Sequence, residues 1–339
     1  MRPKILVPQP IHEAGLRLLR EVGDVEVVES DRMLTREELK AALARCDYFL
    51  SIGDLPLDAD ILDANPGLRG ISAVAAHPDE WMDVEAATAR GIPVTGLTRG
   101  PVINTTADLT IAFLLALAWR LMEADRWVRT GRFRQEQSVH FMGHSLEGKT
   151  LGLVGFGQVA RAVARRARPL ELSIIYTKPT RLEPSEEESL GVTWVPSLDE
   201  LLGRSDFVSL HAAYDESTHM LIGERELHLM KPTAYLINTA RGRIVDEKAL
   251  IAALRDRVIA GAGLDVYWGE PPVTYSPDVD PALLDLDNVL LTPHLGGQTE
   301  ETIAELARLG AVNLVALVNG ERPASIVNPE ALDRGGVRT

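Results

Sequence analysis

The segment Thr150-Leu151-Gly152-Leu153-Val154-Gly155-Phe156-Gly157-Gln158-Val159-Ala160 leaves the chain few folds to choose from. An apolar run rich in β-formers leads into it, and Ala160-Arg161-Ala162-Val163-Ala164-Arg165-Arg166 leaves it with helical character. Strand, tight glycine turn and helix together are the context of a dinucleotide-binding fingerprint. Gly155 permits the sharp turn, Gly157 lets the backbone approach a pyrophosphate, and Ala160 takes the small third position where helix and strand pack. The helix N-terminus then offers free N–H groups and a partial positive charge to phosphates. One such match is weak alone. Its place matters too, because the chain before Thr150 is long enough to build a separate domain.

With 339 residues, two domains are the natural expectation. The net charge of −14 and the lack of a basic stripe disfavour nucleic acid as a partner. Arg161, Arg165, Arg166 and Arg168 share one predicted helix and read as a solvated face. The single cysteine, Cys46, excludes an intrachain disulfide framework and fits a reducing, cytoplasmic setting. The apolar run near the N-terminus is too short for a signal peptide. The longest apolar stretch, Leu109 to Trp119, reads as too short to span a bilayer, so no membrane partner is expected.

Short strands alternate with helices over the first hundred residues: strands at Ile5–Val7, Val25–Val28, Tyr48–Leu50 and Gly70–Val74, and helices at His12–Arg20, Thr35–Leu43 and Val84–Arg90. Thr35 and Glu38 have the spacing of a capping box. Thr95–Pro101 reads as a linker, followed by one long apolar helix from Thr105 to Val128 that serves as core or as a dimer interface. From Thr150 the chain repeats βα units, with strands at Thr150–Val154, Ser173–Thr177, Val192–Val195, Phe207–His211, Ala234–Asn238, Ile259–Val266 and Val289–Thr292. This alternation predicts a parallel sheet wound on both faces. A last helix, Glu300–Asn319, can cross back to the first domain and make the nucleotide domain an insertion. The tail 333–339 reads as flexible.

Three downstream segments place polar residues just after predicted strands: Asn238-Thr239-Ala240-Arg241-Gly242, Asp265-Val266-Tyr267-Trp268-Gly269-Glu270-Pro271 and Pro293-His294-Leu295-Gly296-Gly297. Ligands of open α/β sheets bind outside the carboxyl ends of the strands. Arg241, Glu270 and His294 therefore can converge, and their types suit reduction of a carbonyl next to a carboxylate. Arg241 can hold a 2-oxo acid by charge-assisted hydrogen bonds. His294 can give or take the proton. Glu270 can orient the imidazole and favour its charged form. No spacing suggests a metal site.

These four ordered motifs resemble the D-isomer-specific 2-hydroxy acid dehydrogenase family over essentially Lys4 to Pro329. The resemblance implies catalytic Arg241, Glu270 and His294, with Ala76, His77, Arg241 and His294 at the substrate. It implies two Rossmann-like α/β domains. A doubly wound nucleotide-binding domain, 101–293, is inserted in a smaller flavodoxin-like substrate domain, 1–100 and 294–332. It implies a homodimer built partly on the helix after Pro101. Gln158 and Val159 match positions at the pyrophosphate, Asp265 a position near the nicotinamide carboxamide and Thr106 one beside the nicotinamide. Thr218, Thr239 and Gly296 complete the expected cofactor contacts with Gly155 and Gly157.

Cofactor choice is legible after the second strand of that domain. An NAD site usually has an acid about 20 residues past the fingerprint. Here the strand ends Tyr176-Thr177-Lys178-Pro179-Thr180-Arg181, with no acid. Thr177, Lys178 and Arg181 suit an adenosine 2′-phosphate, as in the NADPH-dependent glyoxylate and hydroxypyruvate reductases of the family. NADP(H) is expected over NAD(H). The substrate segment Ala75-Ala76-His77-Pro78 departs from the family's glycines, and Pro78 has no N–H to donate. Either His77 contacts an extra anionic group or the backbone of Ala76 and His77 still holds the acid. The expected function is hydride transfer between NADP(H) and a small 2-oxo acid such as glyoxylate or hydroxypyruvate. A phosphite or phosphonate dehydrogenase and a non-catalytic nucleotide sensor are the alternatives.

Overall fold

The computed structural model describes residues 2–30, 32, 34–52, 55–75, 78–97, 100–131, 133, 142–270 and 279–335. The chain divides into two compact units. One holds the described residues of Met1–Pro101 and Gln298–Thr339, the other those of Val102–Glu270 and Ser276–Gly297.

The first unit carries a five-stranded sheet of β1 (Lys4–Val7), β2 (Asp24–Val27), β3 (Tyr48–Ile52), β4 (Gly70–Val74) and β5 (Val94–Thr95), in the order β2-β1-β3-β4-β5. Every pairing is parallel, and this is the flavodoxin-like order. Thr35 and Glu38 form both halves of the capping box that opens the helix Arg36–Leu43. The C-terminal helix Glu300–Val318 belongs to this unit. Its Ala311, Leu314 and Leu317 share a buried cluster with Leu16, Leu19, Tyr48 and Leu50. Its backbone lies so close to the helix Glu13–Val22 that a Cβ at Gly15 would sit 2.6 Å from the Ala307 carbonyl oxygen. Ser72 adds a hydroxyl bond to the Gly310 carbonyl at 2.8 Å. A short closing helix continues through Gly335, further than the flexible tail expected from Asp333.

The second unit carries β6 (Thr150–Val154), β7 (Ser173–Thr177), β8 (Val192–Trp194), β9 (Phe207–Leu210), β10 (Tyr235–Asn238), β11 (Gly261–Leu264) and β12 (Val289–Leu291), in the order β12-β11-β10-β9-β6-β7-β8. All pairs are parallel. Alternate residues enter two separate cores: Tyr235 and Ile237 join Phe113, Leu114 and Leu117, whereas Leu236 joins Leu250 and Leu254. A sheet covered on both faces explains why its strands read as continuous apolar runs. The strand order reverses between β6 and β9, which makes their carboxyl ends the expected binding edge.

The long helix departs from expectation. It runs Gly100–Ala118, and a second helix follows over Leu121–Arg129. Arg120 interrupts them with a left-handed φ of 51°, and its guanidinium pairs with Glu123. Because the first helix starts well before Leu109, its 19 residues are long and apolar enough to cross a membrane by length and composition, contrary to the reading from the apolar run. Ala107, Phe113, Leu114 and Leu117 are nevertheless buried in the core of this unit. Trp119, Leu121, Met122 and Val128 stay exposed.

Candidate active site

The carboxyl ends of the seven-stranded sheet form one row in register: Thr177, Val154, Leu210, Asn238, Leu264 and Leu291 are successive partners. The loops leaving this row carry the candidate residues. After β10, the buried Asn238 ties its own loop: its amide donates to the Arg241 carbonyl at 2.9 Å and its carbonyl accepts from Ala240 N–H at 3.0 Å. Gly242 then packs so tightly on the loop after β11 that a Cβ would sit 2.0 Å from the Tyr267 carbonyl oxygen. The loops bearing Arg241 and Glu270 are thereby joined.

His294 Nδ1 and Glu270 Oε2 are 3.0 Å apart, with the Glu270 side chain only 12% exposed. The other Glu270 oxygen accepts from Tyr267 N–H at 3.1 Å. Among the described residues, His294 Nε2 has no hydrogen-bond partner. Desolvation opposes the charged imidazole. The Glu270 hydrogen bond and charge, joined by Asp265, outweigh desolvation and the nearby Arg241 cation, and hold the His294 pKa above its ordinary value. Arg241 and His294 are thus within electrostatic reach of each other.

Asp265 stands at the centre of this arrangement. It is 1% exposed, and its carboxylate accepts from the Thr292 hydroxyl at 2.5 Å, Leu295 N–H at 2.6 Å and Gly296 N–H at 2.9 Å. His294 N–H donates to the Asp265 carbonyl at 3.0 Å. These bonds hold His294 at a φ of 56°, a conformation a non-glycine side chain adopts at a cost of roughly 1 kcal/mol. They also keep residues 294–297 with the second unit. The anchoring role of Asp265 and Asn238 escaped the sequence, although a polar residue closing an apolar strand was the available signal. Thr106 and Thr105 both donate to the Gly296 carbonyl, at 3.0 and 2.8 Å, and Thr239 meets the Thr110 hydroxyl at 3.1 Å.

At the other end of the row, Gly155 has a φ of 82°, and a Cβ there would lie 2.6 Å from the Ala212 amide nitrogen. Only glycine fits that turn. Gly157 caps the helix Gln158–Ala167 without a side-chain bond, and no atom lies within 4 Å of where its Cβ would be. Open space beside uncapped N–H groups of Gln158, Val159 and Ala160 suits a pyrophosphate. Gly155 N–H bonds the Thr177 carbonyl at 3.0 Å, setting Lys178 next to the turn. Lys178 is half-buried, and among the described residues it has no ion-pair partner. Arg181, expected beside it as a phosphate ligand, is committed elsewhere. Its Nε and Nη2 bond Glu187 at 2.9 and 2.7 Å. Thr218 donates to the Ala213 carbonyl and accepts from Asp215 N–H, both at 2.8 Å, closing its own loop.

Ala76 and His77 lie outside the described residues; Pro78 is buried and opens a short turn. His211 bonds Ser209 Oγ at 2.9 Å, and burial pushes its pKa down to about 4, so it is neutral near pH 7 and structural. Among the described residues no group of acids, histidines and cysteines could hold a metal.

The family model described as "D-isomer specific 2-hydroxyacid dehydrogenase, NAD binding domain" matches residues 111–296. A glyoxylate reductase of Thermococcus onnurineus is 41% identical over 98% of each chain. An NADPH-dependent glyoxylate/hydroxypyruvate reductase of Sinorhizobium meliloti, solved with NADP and malonate, is 32% identical and superposes with a TM-score of 0.80 over 98% of each chain. A D-mandelate dehydrogenase of Rhodotorula graminis is 28% identical, with a TM-score of 0.78 over 96% of this chain and 98% of the other. The chain belongs to the D-isomer specific 2-hydroxyacid dehydrogenase family. It is an NAD(P)-dependent oxidoreductase of 2-hydroxy acids.

Proposed function

We propose that the protein is an NADP(H)-preferring reductase of a small 2-oxo acid, with glyoxylate and hydroxypyruvate as the leading substrates. The observation that carries the reading is the Glu270–His294 hydrogen bond beside Arg241, with the imidazole Nε2 left for a substrate oxygen. A bound nicotinamide supplies the hydride. Arg241 holds the carboxylate and polarises the carbonyl by charge-assisted hydrogen bonds. His294 delivers a proton from Nε2 to the carbonyl oxygen during reduction and takes it back during oxidation. Glu270 fixes the ring through Nδ1 and keeps it protonated. The second unit holds the dinucleotide: Gly155, Gly157, Gln158 and Val159 face the pyrophosphate, and Thr106, Thr239, Asp265 and Gly296 back the nicotinamide half. Thr177 and Lys178 support NADP(H), since no acid stands at the ribose position and the Lys178 ammonium is unpaired among the described residues. The first unit is assigned the substrate-domain role, and Ala76 and His77 are its assigned substrate-binding residues. The glyoxylate reductase name of the 41% identical relative supports the substrate choice.

The test is a panel of 2-oxo acids assayed with both cofactors at the nicotinamide absorbance band. Glyoxylate or hydroxypyruvate should lead, with kcat/KM for NADPH about tenfold above NADH, the equivalent of one well-placed charge contact. Inactivity with every acid despite NADPH binding would overturn the enzyme's assignment to these substrates. The exposed Trp119, Leu121, Met122 and Val128 support a homodimer across this face. Sedimentation of wild type as a dimer, and of Val128→Asp as a monomer, is the expected outcome.

A further inference from the structure

The Arg181 side chain is 54% exposed, but it bonds onto a buried pair, Tyr176 and Glu187. Tyr176 is fully buried at the end of β7, and its hydroxyl donates to Glu187 Oε1 at 2.7 Å while accepting from Leu182 N–H at 2.9 Å. Arg181 Nε reaches the same Glu187 oxygen at 2.9 Å, and Nη2 reaches the other at 2.7 Å. This two-point pairing is the strong geometry for a guanidinium and a carboxylate. The Arg181 guanidinium also lies 5.6 Å from the centre of the Trp194 ring. Both ends of the loop 177–182 are therefore tied: Thr177 to Gly155, and Arg181 and Leu182 to the Glu187–Tyr176 pair. The neighbouring Glu186 pairs Arg161, one turn into the glycine-turn helix. The acidic helix Pro184–Leu190 thus pairs with two arginines, and Lys178 is left with no such partner among the described residues.

We propose that Glu187 is a positioning residue for cofactor selection: with Tyr176 it holds Arg181 back and fixes the loop so that Lys178 is the cation that meets the adenosine 2′-phosphate. The inference rests on the NADP(H) reading given above. It makes Arg181 part of the scaffold of the site and removes it from the phosphate ligands. It also makes selectivity depend on a carboxylate of the same sign as the phosphate, because that carboxylate is already neutralised.

The test measures the Kd of NADPH and NADH separately, by nicotinamide fluorescence, on the purified full chain. Lys178→Ala should weaken NADPH about tenfold and leave NADH within twofold. Glu187→Gln and Tyr176→Phe should each weaken NADPH several-fold with NADH within twofold, and the double variant should be little worse than either, since they break one unit. Arg181→Ala should weaken NADPH less than Lys178→Ala does, and it serves if Glu187→Gln fails to fold. Tighter NADPH binding by Glu187→Gln, or an Arg181→Ala loss equal to that of Lys178→Ala, would make Arg181 the phosphate ligand and overturn the proposal. A wild-type preference for NADPH that Glu187→Gln and Tyr176→Phe both leave intact would overturn the positioning role alone. A wild-type preference for NADH would instead overturn the cofactor reading beneath it.

Discussion

Glutamate does opposite work at the two ends of the second unit's strand row. At the β11–β12 end, Glu270 bonds His294 and raises its pKa, so more of the imidazole carries the proton it must give near neutral pH. At the β7 end, Glu187 bonds Arg181, which holds its pKa below the ordinary carboxylate value, so both groups stay ionised near neutral pH. One carboxylate activates its partner, and the other takes its partner out of play. The difference lies in the partner. Imidazole titrates near neutral pH, and a hydrogen bond moves that titration into use. Guanidinium does not titrate there, so a hydrogen bond can only consume its charge and its donors.

The hardest blow to this contrast is His294→Asn. Asn tolerates the left-handed backbone at this position, so the turn should persist. Loss of the proton donor should cut kcat by about a thousandfold, within the usual range for general acid–base catalysis. NADPH binding should stay within twofold by fluorescence, and near-normal turnover would move the proton elsewhere. Next is Gly242→Ala, which forces a methyl against the Tyr267 carbonyl. We expect a loss of about 1–3 kcal/mol, read as a lower Tm, and a larger loss in kcat than in cofactor affinity.

Glu270→Gln sharpens the contrast through pH. Reduction needs protonated His294, so rate falls as pH rises through its pKa. Glu270 raises that pKa; removing its charge should move the alkaline limb to lower pH and lower the rate at neutral pH about tenfold. An unmoved limb would assign the titration to another group. The smallest expected effect is at the other end. Glu187→Gln should leave the pH profile in place, because neither Arg181 nor Glu187 titrates near neutrality.

Much of this was legible in the sequence. The strands of a doubly covered sheet are uninterrupted apolar runs, and the observed strands fall within a few residues of those read from the runs, except β5, which was not read and overlaps the segment taken as a linker. The glycine turn, and the segments holding Arg241, Glu270 and His294, announced themselves because each joins special backbone to polar chemistry right after a strand. What stayed hidden was tertiary. Nothing in the local sequence shows that the Asp265 carboxylate is spent on residues 292–296, some 30 positions on. The pairing of Arg181 with Glu187 was hidden because its partner sits six residues later, on a helix whose facing could not be read. The break at Arg120 was hidden because arginine is a good helix former, and its left-handed turn comes with the Glu123 pairing.

The helix Glu300–Val318 has a consequence for how the chain is made. It supplies Ala311, Leu314 and Leu317 to a core whose other members include Leu16, Leu19, Tyr48 and Leu50. The ribosome releases those early residues long before the late helix exists, at a pace of roughly 5–20 residues per second. The inserted unit can therefore complete its own sheet while the first unit still waits with apolar surface uncovered. Nascent-chain proteolysis should find residues 2–97 cut readily until translation passes Val318, and the inserted unit protected earlier.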